Sequence, residues 1–427
     1  MLTISSLSPT RGVSAGDSAS LCNVVTDFGA IGDNKTEDTD AVAAAFKSCS
    51  STLLPAGYTF LLRPVELFSH THIVIEGTIV AWQHIDSWPN STNKVCPISP
   101  YETPVPTFAP QRESLLWGIA LRNVTISGGG TIDGQGWRWW PLRNDTSHGE
   151  YWHHCRPKLI SVGGEGNGTI ASPTNVDIGL SGITLKDSPF WTTSFRSVRN
   201  LAIRRVTVRT TSCGYSVAPN TDGFNIQGEN VLIEDSRVRN GDDCVPLFPP
   251  TRNVTVRNLT CECGNGPAVC IWPRFSIPGR GGDVRDVRFD GVTLNATNNA
   301  VSVKSLPSFV GRARNVSFSN MHLIGVTTGV AINFKGQGQA GFASGASADS
   351  VLIENVSGTV AANAGHFLCS AQQPCTGVRM RNVTLRAEKA SVLAVGPYEC
   401  ENVQGTAEQC TPNPCHWISR VGDVSAR

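Results

Sequence analysis

Three aspartates stand where chemistry is possible. Asp222 lies in "NTDGF", and the pair Asp242 and Asp243 follows 20 residues later in "NGDDC". Carboxylates are ordinarily solvated surface groups, yet these sit among Phe224, Ile226, Val231, Ile233, Cys244 and Val245. Gathered in one cleft, three carboxylates repel one another, and at least one keeps its proton to a higher pH than usual. A protonated acid facing an ionised base is what hydrolysis of a glycosidic bond needs: the acid protonates the leaving oxygen, the base activates water. Asn and Asp also end strands through side-chain turns. Taken alone, the two motifs fit that plainer role equally well.

Shared use of one cleft depends on the elements that carry the motifs. A phrase recurs along the chain: a turn residue, then Val or Leu, then alternating apolar positions. It reads "RNVTISGGGTIDG" from Arg122, "TNVDIGLSGITLKD" from Thr174, "RNLAIRRVTVRT" from Arg199 and "ENVLIEDSRVRNGDD" from Glu229. It continues in "RNVTVRNLTCECGNG" from Arg252, "RNVSFSNMHLIGVTTGVAINFK" from Arg314 and "TGVRMRNVTLRAE" from Thr376. Asn175, Asn200, Asn230 and Asn253 are 25, 30 and 23 residues apart. Period-two alternation bounded by Gly and Asn reads as strand, and a recurrence of this length reads as a solenoid. The expected fold is all-β: a single-domain right-handed parallel β-helix, one coil per repeat. A residue one coil later then stacks on its counterpart at roughly 4.8 Å, so Asp222 and Asp242 meet. Neighbouring Asp242 and Asp243 reach the same side only if the chain bulges or turns, which Gly241 permits.

One good helix is visible, in "NKTEDTDAVAAAFKSCS". Thr36 or Asp38 caps it, and Val42, Ala45 and Phe46 give it an apolar face. It is expected to close the open end of the solenoid, with Cys22 and Cys49 flanking it as candidates for a bridge. "SHGEYWHHCRP" and the Pro-rich stretch from Asp86 lack periodicity and read as loops walling a cleft. "GGEGNG" and "GQGQAGFASG" lack the strand-to-helix setting of a phosphate loop and read as turns.

Composition narrows the class. With 40% apolar and 16% charged residues in 427, a large core is available,. The balance of 35 basic to 34 acidic side chains argues against nucleic acid or an anionic membrane as partner,. No apolar run is long enough to span a bilayer. Fourteen cysteines, with N-x-Ser/Thr triplets from Asn34 to Asn382, favour an oxidising secretory route, a disulfide-bonded glycoprotein and extracellular localisation,. Residues 1–20 lack the basic and apolar regions of a signal peptide and are expected to be a leader or disordered segment, with one domain over 21–427. Cys261, Cys263 and Cys270 are spaced closely enough to suggest a metal, but paired zinc motifs are missing and the same context favours disulfides. Neither metal nor cofactor is expected.

From "CNVVTDFGAIGDNKTEDT" to the last cysteines, the chain resembles glycoside hydrolase family 28, the polygalacturonases and rhamnogalacturonases. "VTISGGGTIDGQGWRWW" from Val124 is similar to an early signature of that family, and "NTDGF" and "NGDDC" to its catalytic motifs. The resemblance implies a metal-free inverting hydrolase with Asp242 as general acid and Asp222 and Asp243 activating the water. It implies substrate contacts from Asn220, Asn265, Ser302 and Lys304. It also implies a Cys244–Cys261 disulfide and, together with spacing, a Cys369–Cys375 one. The implied partner is a pectic polysaccharide or oligosaccharide, and the protein is expected to act as a monomer. Two positions depart from the family pattern. Asn265 stands where its Gly-His-Gly carries histidine, and Ser302 where its Arg-Ile-Lys carries the arginine that grips a uronate carboxylate. Arg274 and Arg280 are candidates to replace it, although solvated loop arginines are the commoner case. A hydrolase retuned to another pectic sugar and a carbohydrate-binding pseudoenzyme are therefore the alternatives. A calcium-dependent lyase on the same scaffold fits the two motifs poorly.

Overall fold

A computed structural model describes residues 21–97, 108–144, 155–164, 174–272, 282–306, 309–335, 345–388, 395–415 and 418–420. The leader expected over 1–20, the aromatic loop residues 152–154, Arg274 and Arg280 lie outside them.

The repeated phrase becomes the repeated coil. Val231, Val254, Val287, Val316 and Val351 pair in register, strand upon strand. Each follows an asparagine, aspartate or serine with positive φ: Asn230, Asn253, Asp286, Asn315 and Ser350 lie between 51° and 59°. Asn and Asp enter this left-handed region most readily among residues with a side chain, so they form the corner and aim the next Val inward. The corner side chains also bond to one another. Asn200 Nδ2 donates to Asp177 Oδ1 (2.8 Å), Asn230 to Asn200 (3.1 Å) and Asn253 to Asn230 (2.9 Å). A second ladder runs Asp290–Asn320–Asn355–Asn382. Sequon asparagines Asn123, Asn253, Asn258, Asn315, Asn355 and Asn382 thus serve as corner residues.

These coils join in a 27-stranded sheet whose pairings are all parallel; a separate antiparallel pair, Asn90–Pro97 with Phe108–Arg112, lies outside it. This is the parallel β-helix, with the right-handed crossovers that parallel strands adopt. Inward positions form one continuous apolar column; Phe289 and Phe318 stack with centroids 5.0 Å apart and rings 7° from parallel. Each buried Val or Phe removes enough apolar surface to be worth about 1.5–3 kcal/mol.

The helix spans Thr39–Ser48 and buries Val42, Ala45 and Phe46, as its spacing predicts. Asp38 is its first flanking residue but does not cap it with its side chain. The carboxylate turns away to accept from Ile31 N (2.6 Å) and Gly32 N (3.0 Å) in the preceding turn. A Cys22–Cys49 disulfide ties the helix end to the first strand. Among the described residues, no helix is long and apolar enough to cross a membrane.

Candidate active site

Both motifs fall at the entrances of strands on one face of the coil. Asp222 lies two residues before the strand Phe224–Asn240, and Asp243 opens the strand Asp243–Leu247. The second motif lies one coil above the first: Gly223 N donates to Asp243 O (3.0 Å). Asn240 staples them, with Nδ2 reaching Thr221 O (3.0 Å) and Asp243 O (2.9 Å). Gly241 N donates to Thr221 Oγ1 (2.9 Å), whose hydroxyl bonds Ala218 O (2.8 Å).

The register breaks where two adjacent acids need it to. Asp243 pairs with Gly266 and Val245 with Pro267, which leaves Cys244 without a partner between them. Gly241 serves here by its size: a Cβ there would lie 2.1 Å from Ala218 O. The expectation that this glycine frees the bulge is refined accordingly, because what it permits is a close approach of two backbones. Cys244 turns inward to a disulfide with Cys261 on the strand Thr251–Cys263, which ties two strands of the same coil together.

The three carboxyls share one electrostatic environment. All are nearly buried, at 5%, 9% and 5% exposure for Asp222, Asp242 and Asp243. The buried thiol of Cys270 feels all three, and Arg156 feels Asp222 and Asp242. Desolvation, then the charge of Asp243, pushes Asp242 up to about 7. Lys304 contacts both oxygens of Asp243 at 2.8 Å. Burial works most strongly against the Lys304 ammonium, but the surrounding negative groups, Asp243 first among them, together hold Lys304 above its ordinary range.

Asp242 is held by donors on both sides. Its Oδ1 accepts from Asp243 N (2.8 Å) and Asn265 Nδ2 (2.6 Å); its Oδ2 accepts from Asn220 Nδ2 at 3.2 Å. Each asparagine is aimed by a further group. Arg156 Nη2 donates to Asn220 Oδ1 (3.1 Å), and Asn298 Nδ2 to Asn265 Oδ1 (2.6 Å). Asn220 and Asn265, read from the sequence as substrate contacts, therefore face the acid. Ser302 is 2% exposed, two residues before Lys304 on the same strand.

Arg156, Lys158 and Asn298 escape sequence reading. Arg156 and Lys158 are fully buried, the first fixed by Pro189 O (2.7 Å) and Pro219 O (3.2 Å), the second by Gln111 Oε1 (3.3 Å). Burial, reinforced by the Arg143 charge, pulls Arg156 down to about 9, which leaves it cationic at neutral pH. A signal existed in the alternation of "CRPKLISV", but the preceding aromatic loop masks the strand that begins there. Aromatic side chains follow one another outside the strands that carry the aspartates: Phe190 stacks on Trp191 (4.8 Å), Trp191 meets Phe248 (6.4 Å), and Phe248 meets Trp272 (6.0 Å). The disulfides Cys22–Cys49, Cys244–Cys261 and Cys369–Cys375 are present, with Cys213–Cys263 and Cys400–Cys415 in addition. Cys261 and Cys263 are thus both bonded to sulfur, and Cys270 is a buried thiol.

The chain is similar to known proteins over most of its length. A probable polygalacturonase of Vitis vinifera is 27% identical over 431 residues, covering 93% of this chain and 80% of that one. An exopolygalacturonase of Zea mays is 27% identical over 410 residues, covering 90% and 88%. Among solved structures, an endo-xylogalacturonan hydrolase of Aspergillus tubingensis superposes with a TM-score of 0.71 at 19% identity, covering 94% of this chain and all of that one. The sequence profile of glycosyl hydrolases family 28 matches residues 108–411. With the family profile spanning most of the chain, the protein belongs to glycosyl hydrolases family 28 and is a polygalacturonase-type, pectin-degrading glycosidase.

Proposed function

We propose that the protein is an inverting hydrolase of α-1,4-galacturonosyl or closely related pectic linkages, with Asp242 as general acid and Asp222 and Asp243 activating water. The observation that carries this reading is the unequal treatment of two adjacent carboxyls. Asp242 is desolvated and keeps its proton to about 7, whereas Asp243 has an ammonium on both oxygens. Environments that push two carboxyls apart in this way separate an acid from a base. The disulfides among the described residues favour an oxidising, extracellular setting,. Residues 21–427 would act there as one monomeric domain.

Asn265 and Ser302 favour a second reading, a retuned or inactive groove. Asn265 cannot titrate, and Ser302 cannot pair with a uronate. One experiment separates them: reducing-end release across a panel of pectic polymers by wild type and Asp242→Asn. Turnover that disappears in the variant supports the hydrolase, and equal activity in both sinks it. No turnover in either, with oligosaccharide binding retained, establishes the binding protein.

A further inference from the structure

Asp242 Oδ1 already accepts two N–H groups, from Asp243 and from Asn265. A carboxylic acid presents a proton on one oxygen only, and an oxygen facing two donors is the poor place for it. Among the described residues, Oδ2 meets only the longer contact from Asn220. This asymmetry depends on which way the Asn265 amide points. An amide has a donor end and an acceptor end, and turning it over would set a carbonyl against Oδ1. Asn265 is held in its present sense by a single outer contact among the described residues, the 2.6 Å bond from Asn298 Nδ2 to its Oδ1. Asn298 is exposed, yet its backbone is anchored one coil below by Asn298 N to Gly264 O (2.8 Å).

We propose, on the reading of Asp242 as the general acid, that Asn298 is a positioning residue: it locks the Asn265 amide with its NH2 on Oδ1 and so confines the catalytic proton to Oδ2. The aspartate at position 298 in Asn298→Asp accepts hydrogen bonds only, so it draws the Asn265 NH2 toward itself and turns the carbonyl onto Asp242. The proton then sits on Oδ1, held between Asp242 and Asn265. Two effects follow together: the acid keeps its proton to higher pH, and it delivers the proton less readily. Asn298→Ala removes the donor without adding charge and frees the amide to take either sense.

The test is the pH profile of kcat/KM on polygalacturonate for wild type, Asn298→Asp and Asn298→Ala, with Asp242→Asn alongside. The 13C titration of the Asp242 carboxyl in each free protein accompanies it. One reversed hydrogen bond to a charged group corresponds to a shift on the order of one pH unit. Asn298→Asp should move the basic limb and the NMR midpoint up by about that much and lower kcat. Asn298→Ala should move both in the same direction by less, which distinguishes amide orientation from added charge. A general loosening of the loop would lower activity at every pH and leave the limb in place. Unmoved limbs and midpoints in both variants overturn the positioning role. Wild-type activity in Asp242→Asn overturns the general-acid reading beneath it, whatever the Asn298 variants do.

Discussion

Asp242 and Asp243 are the same residue type, one peptide bond apart, and their surroundings make them chemically different. The first faces amide donors and apolar burial; the second faces a cation. A general acid works only while protonated, so kcat/KM should fall as pH rises through about 7. A pH profile on any accepted substrate checks this, and a basic limb set well below that value would contradict it. Lys304 is one of the charges that holds Asp242 down. Lys304→Met should therefore shift that limb to higher pH while lowering kcat, since Asp243 then lies buried without its counter-ion. Stability carries the same signature. Folded Asp242 binds its proton up to about 7 and the unfolded chain only to 3.8, so the folded state loses stability as pH rises across that window,. Asp242→Asn should flatten that part of the Tm-versus-pH curve. A product of inverted anomeric configuration, read by NMR of fresh hydrolysate, is expected because water must fit between acid and base.

At the scale of elements, two strand entrances must be pressed together before any acid can act. Gly241 is one place where the approach is close, because the atom that an added Cβ would meet is a backbone oxygen, which cannot swing aside. Gly241→Ala should cost roughly 2–4 kcal/mol, a backbone clash of the kind that produces large effects. Gly129→Ala, where a Cβ meets nothing within 4 Å, should stay within about 0.5 kcal/mol,. Denaturant unfolding of both variants checks the contrast. The coil was legible because its code is local: an Asn corner and alternating apolar residues recur whatever the loops do. The three aspartates were legible because they stand in motifs one coil apart. Asn298 was not, because an exposed asparagine in "NATNNA" looks like any turn residue until the fold sets it 2.6 Å from Asn265. Asp38 misled in the opposite way, since a residue well placed to cap a helix was claimed by two closer amides.

The whole molecule is a stack in which each coil touches mainly the coil before and the coil after it, as the in-register column from Val231 to Val351 shows. Such a stack behaves as a one-dimensional lattice, where damage spreads by neighbour rather than through a shared centre. The proposed catalytic groups occupy coils between Asn220 and Lys304, while Val403 and Ala407 are core residues of the strand Val403–Thr411, several coils further on. A charge introduced at Val403 should then let the far end fray, with amide exchange rising over 375–411, while kcat on a short oligomer stays near wild type. The same substitution at Val256, buried in the coil that begins at Asp243, should disrupt that coil and abolish kcat as well. For a protein built this way, distance along the axis is a measure of insulation: the remote end can vary, accept loops or be trimmed while the catalytic coils keep their shape.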